Sequence, residues 1–439
     1  MSQASVVARA PAEDLAQRLR TAVAYGSIVA LGALSLLLCL SAAAGVSFVV
    51  PAGRRALTRW LEGPLHGLVS STLTAEQAVL VIAAMCVCYA AALAWGSSVR
   101  TRWVLTAIVL LHVLYAIAPP LISKDVFSYI SYARLGAAHG TNPYQHAPFL
   151  FPDDPAYPFV AWRHVGSAYG PLFTVVTYPL AFVSVPVAMW TIKLATAIAS
   201  LGLVALTWRC AERMGRDPLK AAIWVGLNPV LLVYGVGGAH NDLIMLALMM
   251  GAVALALERR EGSAAGAVLL GAAIKATGAT MLPFLFLQAR DRRRVLVGAL
   301  AAAIPLLAMS YAAFGTGAVG LLKTLKRQQL LVSGDAIPNQ LAKFAGLSGV
   351  TSDVRLVARL VLIGSLAWLA WRVWRGAMDW VAATGWSMVA VVATSSWLLG
   401  WYVLWPLPFA AVSRDRRLQA VTLLLLVYFV ALRWTVFIH

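Results

Sequence analysis

Few polar side chains interrupt the apolar stretches of this chain, and those that do are of types that handle protons and anions. Asp125 stands in Ser123-Lys124-Asp125-Val126-Phe127-Ser128-Tyr129, directly after an apolar block that ends at Pro119-Pro120. A carboxylate at such a boundary can take a proton from a hydroxyl, and it can equally cap the helix that follows. His240-Asn241-Asp242 follows a Gly237-Gly238 turn between two apolar blocks. Three polar residues there are costly to place unless they serve a function, although capping the next helix accounts for Asp242 as well. His240 and Asp242 supply two metal ligands with no evident third, and no metal is expected. Lys275 breaks the apolar block 264–288. Its ammonium either meets an anion, such as a lipid phosphate, or snorkels to the interface. Arg163 and His164 add two more groups able to face an anion. Asp153-Asp154 imitates a nucleotide-sugar metal motif, but among Pro152, Pro155 and Pro158 it reads as a solvated loop. Trp401, Tyr402 and Trp405 either form an interfacial belt or stack against a ligand.

Composition says what must position these groups. Of 439 residues 61% are apolar and 12% charged, with a mean hydropathy of +0.79. A soluble chain carries roughly 25% charged residues. The apolar residues fall in long blocks, as spanning helices require. The net charge of +18 does not indicate a nucleic-acid binder, because the basic residues cluster at block ends. Examples are Arg209/Arg213/Arg216, Arg259/Arg260, Arg290/Arg292/Arg293/Arg294, Arg372/Arg375 and Arg414/Arg416/Arg417. That is the pattern of cytoplasmic turns. The cysteines at 39, 86, 88 and 210 read as small core or loop residues rather than a disulfide or zinc framework.

Threading the chain from a cytoplasmic tail over 1–21 gives one all-α membrane domain over 22–437. About 12–13 helices fit the apolar blocks, given the roughly 20 residues a crossing needs. Residues 121–170 form the main external segment and 315–353 the second. The blocks 171–185 and 187–208 cannot both cross without putting the basic turn at 209–220 outside. The first has about 15 residues and holds Pro171 and Pro179, so it is expected to be re-entrant or interfacial. Block 264–288 is likewise expected to break into two half-length helices near Lys275. The polar residues then converge on one side.

Several of these segments in order resemble the polyprenol-phosphate-mannose-dependent α-1,6-mannosyltransferases, of the GT-C superfamily of membrane glycosyltransferases. The similarity runs through Asp125-x-x-x-Tyr129, Arg134-Leu135, His139-Gly140-Thr141-Asn142-Pro143-Tyr144 and Ala168-Tyr169-Gly170-Pro171-Leu172. It continues through Asn228-Pro229-Val230-Leu231-Leu232, Gly237-Gly238-Ala239-His240-Asn241-Asp242 and Trp401-Tyr402-Val403-Leu404-Trp405. One departure is Gly166-Ser167-Ala168, where a proline beside the alanine is expected. The resemblance implies a GT-C fold, a polyprenyl-phosphate mannose donor, a mannoside or lipoglycan acceptor and inverting transfer. It also implies that Asp125 is the base. The site would face outward from a bacterial inner membrane.

The residues fit that chemistry. A lipid-linked donor carries its own leaving phosphate, so no cofactor is expected, and no phosphate-cradling glycine loop occurs. Lys275, His240, Arg163 and His164 are the candidates for the phosphate. Tyr129, Asn142, Tyr144, Tyr169, Asn241, Asp242, Trp401 and Tyr402 are those for the sugars. Two rivals stand beside this. A transporter or lipid flippase would explain broken helices but commonly shows paired repeats, which are not visible here. The same fold with glucose or arabinofuranose would share every motif.

Overall fold

In a lipid-like sequence the backbone must satisfy its own hydrogen bonds, and helices do so within one segment. The computed structural model describes residues 11–45 and 59–438, and all its regular elements are helices. This is an all-α polytopic membrane fold. The helix Pro11–Ala43 begins inside the stretch expected to be a tail, while residues 1–10 and the expected end of that helix at 46–50 lie outside the described residues. Among the described residues five helices have the length and apolarity of a full crossing: Leu15–Ala43, Ala75–Ser98, Val185–Arg213, Arg292–Gln328 and Ser352–Trp374. A sixth counts if the pair Pro218–Gly226 and Leu231–Gly237, bent by 64°, is taken as one span. Shorter apolar helices of 10–17 residues, seven among the described residues, lie between them, and the helix Arg416–Ile438 follows. Many expected crossings are therefore broken or half-length.

The breaks fall where prolines and lone charges stand. Pro171–Val176 gives way to a 3₁₀ turn at Tyr178–Phe182, and the true span starts at Val185. The helix Glu261–Ile274 stops at Lys275, which is extended at φ −150° and ψ 126°, and resumes as Ala276–Met281 and Leu282–Gln288. Residues 401–413, expected as a crossing, are a 3₁₀ turn Gly400–Leu404 followed by the short helix Leu407–Val412. Pro406 and Pro408 remove two helical donors there.

Val185–Arg213 lies centrally, packed against Thr101–Ile117, Pro218–Gly226 and Asp242–Leu257. The basic turns gather at one end of the bundle. Ser97 donates to Asp217, Arg209 and Arg213 pair with Glu258, and Glu261 accepts from the amides of Arg290 and Asp291. Acidic caps at Asp217, Asp291 and Asp379 start the helices that leave this end. The polar groups singled out above collect at the other.

The first large connection is held to the bundle by backbone. The amide of Gly170 donates to the carbonyl of Ile274 at 3.0 Å, across the break at Lys275. A Cβ on Gly170 would sit 2.1 Å from the Ala273 oxygen, so only glycine permits that approach. Gly202 has nothing within 4 Å of its Cβ position. Gly170→Ala is therefore expected to lower the melting temperature in detergent by several degrees, as overpacking of about 1–3 kcal/mol does. Gly202→Ala should leave it unchanged or raise it slightly. Equal melting of both variants would remove Gly170 as the clamp.

Candidate functional site

Two turns, each carrying a carboxylate, are tied together at the centre of this end. The amide of Leu121 donates to the carbonyl of Gly237 at 3.0 Å. Lys193, fully buried in Val185–Arg213, donates its ammonium to the same oxygen at 2.9 Å. Each turn contains a non-glycine residue at positive φ, Ile122 at 61° and Ala239 at 56°. Such backbone costs about 1–3 kcal/mol and persists where its surroundings enforce it. Three residues beyond each, Asp125 and Asp242 begin their helices.

The two carboxylates have different surroundings. Asp242, 1% exposed, accepts from Lys275 Nζ at 2.8 and 3.0 Å and from Trp405 Nε1 at 2.6 Å. The Lys275 ammonium also lies 4.6 Å from the centre of the Tyr402 ring and 5.3 Å from that of Trp405. The expected lone ammonium thus has a protein carboxylate. Asp125 has no cation in contact. Its Oδ1 accepts from Trp162 Nε1 at 3.2 Å, and its Oδ2 is 3.7 Å from His240 Nδ1. Burial pushes its pKa up to about 6, against the opposing pull of Trp162, Lys275 and Tyr169. His240 is held well below its ordinary value by burial and then by the charge of Lys275, so it is neutral at pH 7.

His240 stacks on Trp401 with ring centres 3.5 Å apart. Among the described residues neither of its ring nitrogens has a hydrogen-bond partner, and the same holds for Asn241 Nδ2 and Ser128 Oγ. Buried polar atoms without protein partners are uncommon, and these are free to bond water or a substrate hydroxyl. Tyr129 supports this turn, its hydroxyl accepting from the Asn241 amide at 3.4 Å. Tyr169 packs edge-on against Tyr129 with ring centres 4.6 Å apart. No three His, Cys, Asp or Glu side chains converge among the described residues.

Four expected site residues lie elsewhere. Asn142 donates to the Phe314 carbonyl at 2.8 Å and accepts from the Tyr144 amide at 2.9 Å. Tyr144 donates to the Tyr169 carbonyl at 2.9 Å. Both latch the loop. Arg163 donates to the carbonyls of Val160 and Pro158 and lies over Tyr157. His164 is exposed beside Phe149. Asp154, expected to be solvated, is a buried hub. Burial raises its pKa, but hydrogen bonds from His139, the Ala156 amide and Arg134 win and hold it below the usual value. At Gly166-Ser167-Ala168, where a proline was expected, the Ser167 amide donates to the Pro143 carbonyl at 2.7 Å. The turn is held by hydrogen bonds instead.

Reading the sequence missed Trp162 and Lys193, together with Arg355 and Arg359. The two arginines are four residues apart in an apolar helix, and intramembrane charge was the available signal. Both line a cavity of about 560 Å³ that also takes in Lys275, Tyr402, Trp405 and Trp397.

A family model described as alpha-(1->6)-mannopyranosyltransferase, N-terminal domain, matches residues 29–290, more than half of the chain. A second, described as MptB C-terminal domain, matches 339–435. The chain is 30% identical over 323 residues to alpha-(1->6)-mannopyranosyltransferase A of Mycobacterium tuberculosis, covering 66% of this chain and 61% of that relative. It is 30% identical over 176 residues to alpha-(1->6)-mannopyranosyltransferase A of Corynebacterium glutamicum, covering 38% of this chain and 35% of that one. The alignment thus spans less than two thirds of either relative's length.

The buried pair predicts a coupling. Lys275→Met leaves Asp242 charged without its cation and is expected to destabilise by about 3–5 kcal/mol. Asp242→Asn added to it should recover a large part of that loss. Chemical denaturation of both single variants and the double reads the coupling energy, and additive effects would dissolve the pair.

Proposed function

Because the chain belongs to the alpha-(1->6)-mannopyranosyltransferase family, we propose that it transfers mannose from a polyprenyl-phosphate donor to a hydroxyl of a cell-envelope glycan or lipoglycan. The observation that carries this is Asp125. Among the described residues it is a buried carboxylate without a cation in contact, beside a turn in which the two His240 ring nitrogens and Asn241 Nδ2 have no hydrogen-bond partner. Asp125 takes the proton of the acceptor hydroxyl as that oxygen attacks the anomeric carbon of mannose. The bond from that carbon to the phosphate oxygen breaks with inversion, and the polyprenyl phosphate departs with the electron pair. Neutral His240 and the side-chain Nδ2 of Asn241 bond mannose hydroxyls. Lys275 holds Asp242 in place through their ion pair. Trp401 and Tyr402 form the wall against which sugars stack.

The raised pKa of Asp125 sets the pH dependence. The base works only when ionised, so kcat/KM is expected to fall about tenfold per unit as pH drops below about 6. Asp125→Asn should lower turnover by about 10² to 10⁴ and abolish that acid limb. Charging a carboxylate whose folded pKa lies above its unfolded one opposes folding. That penalty is complete above about pH 6 and fades as pH falls toward 3.8. Asn at this position should therefore melt no lower than the parent at pH 7, and slightly higher. Near-parental turnover in Asp125→Asn together with a dead Asp242→Asn would transfer the base role to the His-Asn-Asp turn.

The gathering of basic turns at the far end supports an outward-facing site in a bacterial inner membrane. His240 is buried, so the useful reporters are the exposed positions His164 and Arg292. In a cysteine-free background of intact cells, His164→Cys is expected to react with a membrane-impermeant maleimide and Arg292→Cys to stay protected. The opposite pattern would invert the proposed sidedness.

A further inference from the structure

An arginine inside an apolar helix needs a partner, because a bare guanidinium in hydrocarbon is costly. Arg355 and Arg359 stand one turn apart on Ser352–Trp374, with Arg359 about 10 Å in from the helix start at about 1.5 Å per residue. Among the described residues neither meets a carboxylate. Arg355 donates to the Leu330 carbonyl at 3.0 Å, and its Nε is buried without a partner. The cavity that both line contains three cationic side chains and no acidic one. Lys275 is the third, and Asp242 already neutralises it. The uncompensated positive charge therefore lies on the two arginines.

The rest of that wall is apolar. Ala358, Leu362 and Ile363 line the cavity from the same helix. Leu360, Val361 and Ile363 are 59%, 52% and 64% exposed on its outer side. Only 6% of this helix's apolar window is buried, so the cavity opens sideways along an unpacked span. Its inner rim is the functional cluster. Trp397 lines it and packs edge-on against Trp162, with ring centres 6.0 Å apart, and Trp162 holds Asp125.

We propose that Arg355 and Arg359 bind the phosphate of a polyprenyl monophosphate, whose hydrocarbon lies along Leu362 and Ile363 toward the bilayer. Guanidinium groups match phosphate oxygens in paired hydrogen bonds, and charge complementarity with an apolar exit fits an anionic head on a long tail. This rests on the polyprenyl-phosphate donor proposed above and assigns its phosphate to the arginines rather than to Lys275. The sugar would then lie between the arginines and Asp125, with Tyr402 and Trp405 at its side.

The test uses the full chain in phosphatidylcholine nanodiscs, titrated with undecaprenyl monophosphate. Arg355→Gln and Arg359→Gln are each expected to weaken binding by about tenfold or more, the loss of a charge-assisted hydrogen-bond pair. Arg359→Lys should keep part of the affinity, and the double Gln variant should bind no better than the parent binds undecaprenol. Unchanged affinity in the Gln variants that melt like the parent would overturn the assignment. Equal competition by phosphatidylglycerol would also overturn it, by making the site a general anionic-lipid contact. Asp125→Asn separates the two readings, since it should bind undecaprenyl monophosphate normally and transfer nothing. Parental chain that transfers mannose while its Gln variants bind and turn over alike defeats the arginine site alone. Arginine-dependent binding without any transfer supports that site and defeats the enzymatic reading.

Discussion

Every interrupted helix in a membrane frees backbone groups that water cannot satisfy, and this fold answers that need by bonding the breaks to one another. The Gly237 carbonyl, freed beyond the bent pair, is taken by the Leu121 amide and the buried Lys193 ammonium. The Ile274 carbonyl, freed at the Lys275 break, is taken by the Gly170 amide. Irregular backbone at depth is tolerated only when protein or a wet cavity covers it. Mutual satisfaction of the breaks therefore brings the 121–125, 168–171, 237–242 and 274–277 segments into one patch.

That patch then sorts its two carboxylates. Asp242 lies close enough to Lys275 to form a full ion pair and takes a third hydrogen bond from Trp405. Asp125 is buried among aromatic rings and a neutral imidazole, and its nearest stabilising contact is an indole N–H. Chemically identical groups thus acquire different surroundings, one held in an ion pair and one poised to change its charge. His240 remains neutral because burial disfavours its charged form and the same Lys275 that anchors Asp242 repels a proton from it.

The sequence made the broken helices legible, because Pro171, Pro179 and the lone Lys275 violate the length and apolarity a span requires. Shared sidedness also grouped Asp125, Arg163, His164, His240, Asn241, Asp242 and Lys275, and the structure brings these together except Arg163 and His164. The sequence did not reveal pairings made by long-range folding. Nothing local says that Lys275 meets a carboxylate 33 residues away, or that Trp162 reaches Asp125 across 37. Asn142, Tyr144 and Asp154 looked like site or solvent residues because a latch and a ligand contact use the same side chains. The pair Arg355 and Arg359 was visible in principle as two charges inside an apolar block.

The floor and the outer wall of this site are built under unequal constraint. The floor is cross-braced by backbone bonds and by glycines such as Gly170 that no larger residue can replace. The Ser352–Trp374 helix is a wall with most of its apolar surface turned outward. Substitutions of one aliphatic residue for another on that wall disturb little packing, whereas the floor admits almost none. A chain of this design can drift toward lipids of different length, saturation or branching while its proton-transfer geometry stays fixed. The fold thereby separates what is free to diverge from what is not.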